Sequence, residues 1–274
     1  MNQNELAECK ALAKKIRLHC LRMVFRGKSG HIGSMLSTAD IYPVLYKHIL
    51  NVDPANPKKP DRDRFLLSKG HGGAALLACL AEEGFFPKEW LDRYYCDDGK
   101  LSGHISHHIP GVEFSSGSLG HGLPVGCGMA MAAKTAGQKH RIFVMSSDGD
   151  LNEGSSWEAI MLAGQHHWDN LVMLVDYNRL QALGRSKDII DLEPLAPKLE
   201  MFGWRVADCD GHDPAAIEAA LKALPIEAGK PSAVIFRTVK GKGVSFMEDE
   251  YKWHYGGLVE DLYKRAVAEV EAME

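Results

Sequence analysis

The chain has 274 residues, 45% hydrophobic and 25% charged, with 32 Lys and Arg against 36 Asp and Glu for a net charge of −4. That length fits one large domain or two small ones, and the balance excludes a disordered or fibrous chain and leaves no basic surface for nucleic acid or an anionic membrane. No apolar run approaches the roughly 18–20 residues of a membrane span, and the charged amphipathic start, MNQNELAECKALAKKIR, is no signal peptide. Six cysteines with no CxxC spacing read as reduced, mostly buried thiols of a cytoplasmic protein.

In chain order, apolar groups at helical spacing (Leu6, Leu12, Ile16, Leu21, Val24) followed by Gly27 predict a long helix over 4–26. A Pro- and Lys-rich loop spans 53–63, and Arg64-Phe65-Leu66-Leu67 is a short strand leading into Ser68-Lys69-Gly70-His71 and an Ala/Leu-rich helix. Residues 96–117, rich in Gly, Ser, His and Asp, show no period, and so long a loop in a compact chain points to function. The helix expected over 119–135 is so rich in Gly, Ala and Met that close packing on all sides is expected. Strands then alternate with helices: strand 141–145, helix 153–167, strand 171–175, a helical stretch 195–201, strand 204–206, helix 214–224, strand 233–236 and helix 258–272. Continuous apolar strands separated by helices mean a mainly parallel, doubly wound α/β sheet with helices on both faces, here as a single domain over 1–274.

Open parallel sheets bind ligands beyond the carboxyl ends of their strands. Strand 141–145 runs into Asp148 and strand 171–175 into Asn178, 30 residues later, about the length of one βαβ unit. Both side chains should therefore emerge at one rim of the sheet. One carboxylate with one amide oxygen suits Mg²⁺ whose remaining ligands come from phosphate. Gly149 permits close backbone approach, and the helix starting near Gly154 turns its N–H groups toward an anion. Taken singly, Asp148 could merely cap a helix and Asn178 merely make a turn. No HExxH, GxSxG, GxxxxGK[ST] or strand-linked GxGxxG occurs, which sets aside zinc-hydrolase, serine-hydrolase and nucleoside-triphosphatase readings.

The run Ser147-Asp148-Gly149, 28 residues and then Asn178 resembles the thiamine-diphosphate signature, and its flanks, DGDLNEGSSWEA and DNLVMLVDYN, resemble the transketolase form of it. Four further segments are similar to transketolase: Ser29-Gly30-His31-Ile32-Gly33; Asp63-Arg64-Phe65 through Gly70-His71; Ser102-Gly103-His104 with Ser116-Gly117-Ser118-Leu119-Gly120; and Lys240-Gly241-Lys242-Gly243 with Trp253-His254. The resemblance implies thiamine diphosphate and Mg²⁺ as cofactors, the metal held by Asp148, Asn178 and the backbone carbonyl of Leu180. It implies further that His71 and His254 reach the diphosphate, that His31 and His104 reach the sugar, and that Gly117, Leu119 and Gly149 hold the cofactor. Imidazoles suit such a site because they exchange protons near neutral pH. Glu153 and Glu158 match family carboxylates at the contact between two active sites. Where the family usually has Gly, this chain has Ser147, whose side chain would either crowd the diphosphate or hydrogen-bond it. His107 and His108 have no fixed family pattern and could touch substrate, whereas His166 and His167 read as surface or subunit contacts.

Transketolases normally continue into a pyrimidine-binding domain, whose Glu activates the cofactor, and a C-terminal domain, and neither has a counterpart here. The expectation is therefore a split enzyme. This chain would be the diphosphate-binding subunit, active only with a second polypeptide, in an assembly of two of each, moving a two-carbon ketol unit from a ketose to an aldose. The residues that read a donor's phosphate would lie mostly on that other chain, so phosphorylated, sulfonated and neutral sugars all fit. Two alternatives stand beside it: the α subunit of a 2-oxo-acid dehydrogenase or decarboxylase, and a non-catalytic phosphate-binding regulator.

Overall fold

The computed structural model describes residues 1–273. Among the described residues seven strands form in chain order: β1 (Arg64–Leu67), β2 (Ile142–Ser147), β3 (Leu171–Tyr177), β4 (Leu180–Gln181), β5 (Gly184–Arg185), β6 (Arg205–Asp210) and β7 (Ser232–Arg237). Five of them make one sheet in the order β1-β2-β3-β7-β6, every pairing parallel, while β4 and β5 form a small antiparallel hairpin. Register follows the apolar runs: Ile142 pairs with Leu171 and Ser147 with Asp176, so β2 and β3 end side by side.

Side chains alternate along each strand, and here both faces are buried. Phe65, Leu67, Phe143, Met145, Val172, Leu174, Val234 and Phe236 face one core, closed by the helices Gln3–Gly27, Gly73–Glu82, Pro214–Lys222 and Glu260–Glu271. Leu66, Ile142, Val144, Leu171, Met173, Val175, Ala233 and Ile235 face the other, closed by Gly122–Thr135, Gly154–Gln165 and Leu195–Met201. At about 1.5–3 kcal/mol for each large side chain removed from water, this double burial fixes the register of the sheet. The long first helix starts on a capping box between Asn2 and Glu5 and stops where Lys28 turns left-handed at φ 47°.

Two expectations need correction. Strand β6 runs six residues, Arg205–Asp210, instead of 204–206; as an edge strand half open to water it carries polar residues that mask its period. Trp204 precedes it, fully buried, donating from Nε1 to the carbonyl of Ile160. Helix Gly122–Thr135 is not packed all round: Gly122, Leu123, Gly126, Cys127, Ala130 and Ala133 are buried, while Gly128 and Met131 are exposed. Its glycine content has a narrower cause. A Cβ at Gly126 would lie 2.5 Å from Cγ2 of Val144, so the helix sits closer to the sheet than any side chain would allow. The stretch after His31 adds two short helical turns, Ile32–Leu36 and Ile41–Val44, too short to show a period in the sequence.

Candidate active site

Four neighbouring strands deliver the site at their carboxyl ends. From β1 come Ser68, Lys69 and His71; from β2, Ser147, Asp148 and Asp150; from β3, Asp176, Asn178 and Leu180; from β7, Thr238 and Lys240. Of these, His71, Ser147, Asn178, Leu180 and Lys240 line a cavity of about 200 Å³ together with Gly117, Leu119, Gly149 and Gln181.

The histidines from four distant segments meet there. The His31 ring lies 5.2 Å from that of His71, 5.7 Å from His104 and 5.2 Å from His254, centroid to centroid, and His71 lies 5.1 Å from His254. His31 caps the Ile32–Leu36 turn at φ 68°, a left-handed conformation costly for a residue with a Cβ and common at functional sites. Burial, then the charges of His104 and Lys240, lowers its pKa to about 4. Burial followed by Lys240 lowers His254 to about 3, and burial with Lys69 drives His71 well below the ordinary value. All three rings are therefore neutral near pH 7, each with one N–H to give and one lone pair to accept. The positive charge of the site is carried instead by Lys69, paired with Asp176, and by Lys240.

Both lysines are almost wholly buried. Lys69 Nζ contacts Asp176 Oδ2 and donates to the carbonyl of Ser34 at 2.8 Å, and Ser34 Oγ lies 2.9 Å from His71 Nε2. Asp176 also accepts from Ser37 at 2.6 Å, from Thr238, and from Asn178 Nδ2 at 3.3 Å. Burial alone would raise the Asp176 carboxyl; the Lys69 charge and these hydrogen bonds outweigh it and hold the group ionised. The bond from Asn178 Nδ2 orients that amide, whose Oδ1 accepts from the Leu180 N–H at 3.1 Å. Lys240 Nζ donates to the Leu180 carbonyl at 3.3 Å and lies 3.0 Å from His254 Nδ1. Burial lowers its pKa to about 8.

Asp148 differs from its neighbours. It is fully buried, its Oδ2 accepts from Ser186 Oγ at 3.2 Å, and its Oδ1 accepts from nothing. Burial, then the Asp176 charge, raises its pKa to about 7. A buried carboxylate oxygen without a partner is costly, and a cation beside the Asn178 and Leu180 oxygens would relieve it. Among the described residues no three His, Cys, Asp or Glu side chains are placed to share a metal ion. A cation here would rely on amide, carbonyl and phosphate oxygens, as Mg²⁺ does beside phosphates.

Other expectations resolve less evenly. The Ser147 hydroxyl turns toward Asp150, 3.2 Å from its Oδ2, even though Ser147 lines the cavity. Asp150 is the hub of that corner: fully buried, it also accepts from Ser68 Oγ at 2.6 Å and the Gly120 N–H at 2.9 Å, pinning the 116–122 segment to the sheet. Glu153 does not join the histidines; it is exposed at the start of Gly154–Gln165, as is Glu158 further along. His107 and His108 line a separate cleft with Arg62 and Glu113, and His166 and His167 lie on the surface. Lys69, Asp176, Asp150 and the cavity-facing role of Lys240 were missed, because in a sequence a buried charge looks like a solvated one. Their only signal was position, at or just beyond the end of a buried strand.

Residues 8–269 match the family model described as transketolase, thiamine diphosphate binding domain. The chain belongs to this family. It is the thiamine-diphosphate-binding part of a transketolase-type transferase. It is 45% identical over 227 residues, 82% of each chain, to one subunit of the apulose-4-phosphate transketolase of Actinobacillus succinogenes. It is 40% identical over 260 residues, 94% of each chain, to a 6-deoxy-6-sulfo-D-fructose transketolase subunit of a Clostridium species. Its fold superposes on crystalline transketolase of Campylobacter jejuni with a TM-score of 0.91 at 34% identity, covering 99% of this chain but 43% of that one. The transketolase expectation thus stands above the 2-oxo-acid dehydrogenase and regulator alternatives.

Proposed function

We propose that this chain is the diphosphate-binding subunit of a two-chain transketolase that moves a two-carbon ketol unit from a ketose to an aldose. One observation carries the reading. Asp148, with its unpartnered oxygen, Asn178 and Leu180 converge with four histidines at one rim of the sheet, in a chain spanning 43% of a single-chain transketolase. Asp148, Asn178 and the Leu180 carbonyl would hold Mg²⁺. Lys240, His71 and His254 would meet the diphosphate, and Gly117, Leu119 and Gly149 would bear on the rest of the cofactor. Thiamine diphosphate, when bound, supplies the nucleophilic carbon and the electron sink for the two-carbon fragment. His31 and the exposed His104, further out, would face the sugar, where a neutral imidazole can take a proton from a hydroxyl or hand one to a carbonyl oxygen.

The pyrimidine-binding and C-terminal parts would come from a partner chain, in an assembly of two of each. Glu153 and Glu158, exposed here, would then lie at a subunit contact. The relatives named for apulose 4-phosphate and for 6-deoxy-6-sulfo-D-fructose support a ketose donor with an anionic group at its far end, read largely by the partner. No helix among the described residues is long and apolar enough to cross a membrane, and all six cysteines are free, in keeping with a reducing cytoplasm. Calorimetry with thiamine diphosphate is the test: binding should require Mg²⁺ and vanish with a chelator, and ketol transfer should appear only when the partner chain is added. Cofactor binding indifferent to Mg²⁺ overturns the site, and full transfer activity from this chain alone overturns the two-chain reading.

A further inference from the structure

Lys240 stands in a Gly-rich turn, and two groups hold that turn from behind, one on each side. On one side the Val239 N–H donates to His212 Nε2 at 2.8 Å. On the other, Arg17 Nε donates to the Lys242 carbonyl at 3.1 Å. Both holders meet at one carboxylate. His212 Nδ1 lies 2.7 Å from Asp40 Oδ2, and Arg17 grips Asp40 with two bonds, to Oδ1 at 2.9 Å and Oδ2 at 2.6 Å.

The arrangement fixes the histidine's chemistry. A backbone N–H can only donate, so Nε2 bears the lone pair, Nδ1 bears the proton, and the ring donates to Asp40. A carboxylate on one imidazole nitrogen makes the other a better acceptor, the same logic that orients histidines behind metal sites. Other bonds also hold the turn: the Gly241 N–H donates to the Gly33 carbonyl at 2.9 Å, the Lys242 N–H to the Val239 carbonyl at 3.2 Å, the Gly243 N–H to Glu248 Oε1 at 3.0 Å and the Asp249 N–H to the Lys240 carbonyl at 2.9 Å, but none of them engages the Val239 N–H. Gly241 itself is at φ 82°, and a Cβ there would lie 2.3 Å from the Met247 carbonyl oxygen, so only glycine fits at that point of the turn. Arg17 comes from the first helix, Asp40 from the segment after Leu36, and His212 from the turn between β6 and Pro214–Lys222. Three elements outside the cavity thus converge on the residues flanking one ammonium group.

We propose that His212 is a positioning residue of the site: held by Asp40 and Arg17, it sets the Val239–Lys242 turn so that the Lys240 ammonium faces the cavity ready for a diphosphate. The inference rests on the cofactor reading above for its ligand, but not for the geometry of the turn. His212 touches neither substrate nor cofactor, and its effect passes wholly through Lys240.

The experiment uses the full chain, with two variants and two readouts. In His212→Ala, hydrogen exchange of the 238–244 amides without ligand should quicken at least about tenfold while β2 and β3 keep their protection. Calorimetry with thiamine diphosphate and Mg²⁺, well below the melting temperature, should show affinity falling about 10- to 100-fold. His212→Gln, whose side-chain oxygen can accept from the Val239 N–H, should restore most of both. Unchanged exchange in His212→Ala overturns the proposal, and so does faster exchange with full affinity, or a Gln variant no better than Ala. Should His212→Ala fail to fold, His212→Gln against Asp40→Asn, which weakens the grip on the ring, gives the same two readouts. A wild-type chain that binds no thiamine diphosphate with Mg²⁺ would overturn the cofactor reading, and the exchange data would still decide whether His212 holds the turn.

Discussion

The two ends of the sheet treat a buried carboxylate in opposite ways. At the amino end Asp63, 4% exposed, sits between the starts of β1 and β2. It accepts from the Asn51 N–H at 2.9 Å, from the Arg141 N–H at 2.8 Å, and from the Arg141 guanidinium at 2.6 Å. At the carboxyl end Asp148, fully buried, has one bond to Ser186 and an oxygen with no partner. The first carboxylate completes its own surroundings and stitches two strands together. The second is held ready for something the chain does not itself contain. Burial alone does not separate these two acids; the count of satisfied lone pairs does.

Substitutions can break that contrast. Asp63→Ala should leave the Arg141 guanidinium without its partner and cost about 3 kcal/mol of stability, read by denaturant unfolding, with cofactor affinity in the folded fraction unchanged. Asp148→Ala should do the reverse: thiamine diphosphate affinity with Mg²⁺ falls at least about 100-fold in calorimetry, while the unfolding midpoint holds or rises because an unsatisfied charge has gone. Equal loss of stability in both variants would erase the distinction.

Acid sharpens it next. The rings of His31 and His254 have pKa values lowered to about 4 and about 3, while an unfolded chain holds them near 6.5. Between these values the unfolded state binds more protons, so the cofactor-free chain loses stability as pH falls from about 6.5 toward 4. His31→Asn should flatten that part of the pH–stability curve, and a curve of unchanged slope would mean that the ring is not held neutral. The smallest effect is expected for Ser147→Gly. Because the hydroxyl turns to Asp150, removing it should cost about 1 kcal/mol of stability and leave cofactor affinity within a few-fold. A large gain in affinity would instead place the side chain against the diphosphate.

Much of this was legible in the order of residues, and the boundary is physical. Buried parallel strands are runs of apolar residues, so β2, β3 and β7 announce themselves, and the Asp148–Asn178 spacing follows from one crossover between neighbours. The four histidines stood out because each lies beside glycine or in a glycine-rich loop, where an imidazole has no packing task. Lys69, Asp150 and Asp176 gave no comparable sign, since what distinguishes them is the company they keep in three dimensions. Glu153, picked out by resemblance, stands apart from the histidines, and the sequence of this chain could not show that separation. Edge strand β6 was read short for a related reason: with one side open to water, its alternation blurs.

That same β6 has a consequence for handling the protein. A parallel sheet must stop somewhere, and here its outer margin bears Asp208 and Asp210, both exposed, with Arg205 at the near end. Charged groups along an unpaired margin would lose water against a neighbouring strand, which disfavours pairing there. Concentrated samples should therefore resist edge-to-edge pairing of sheets into filaments.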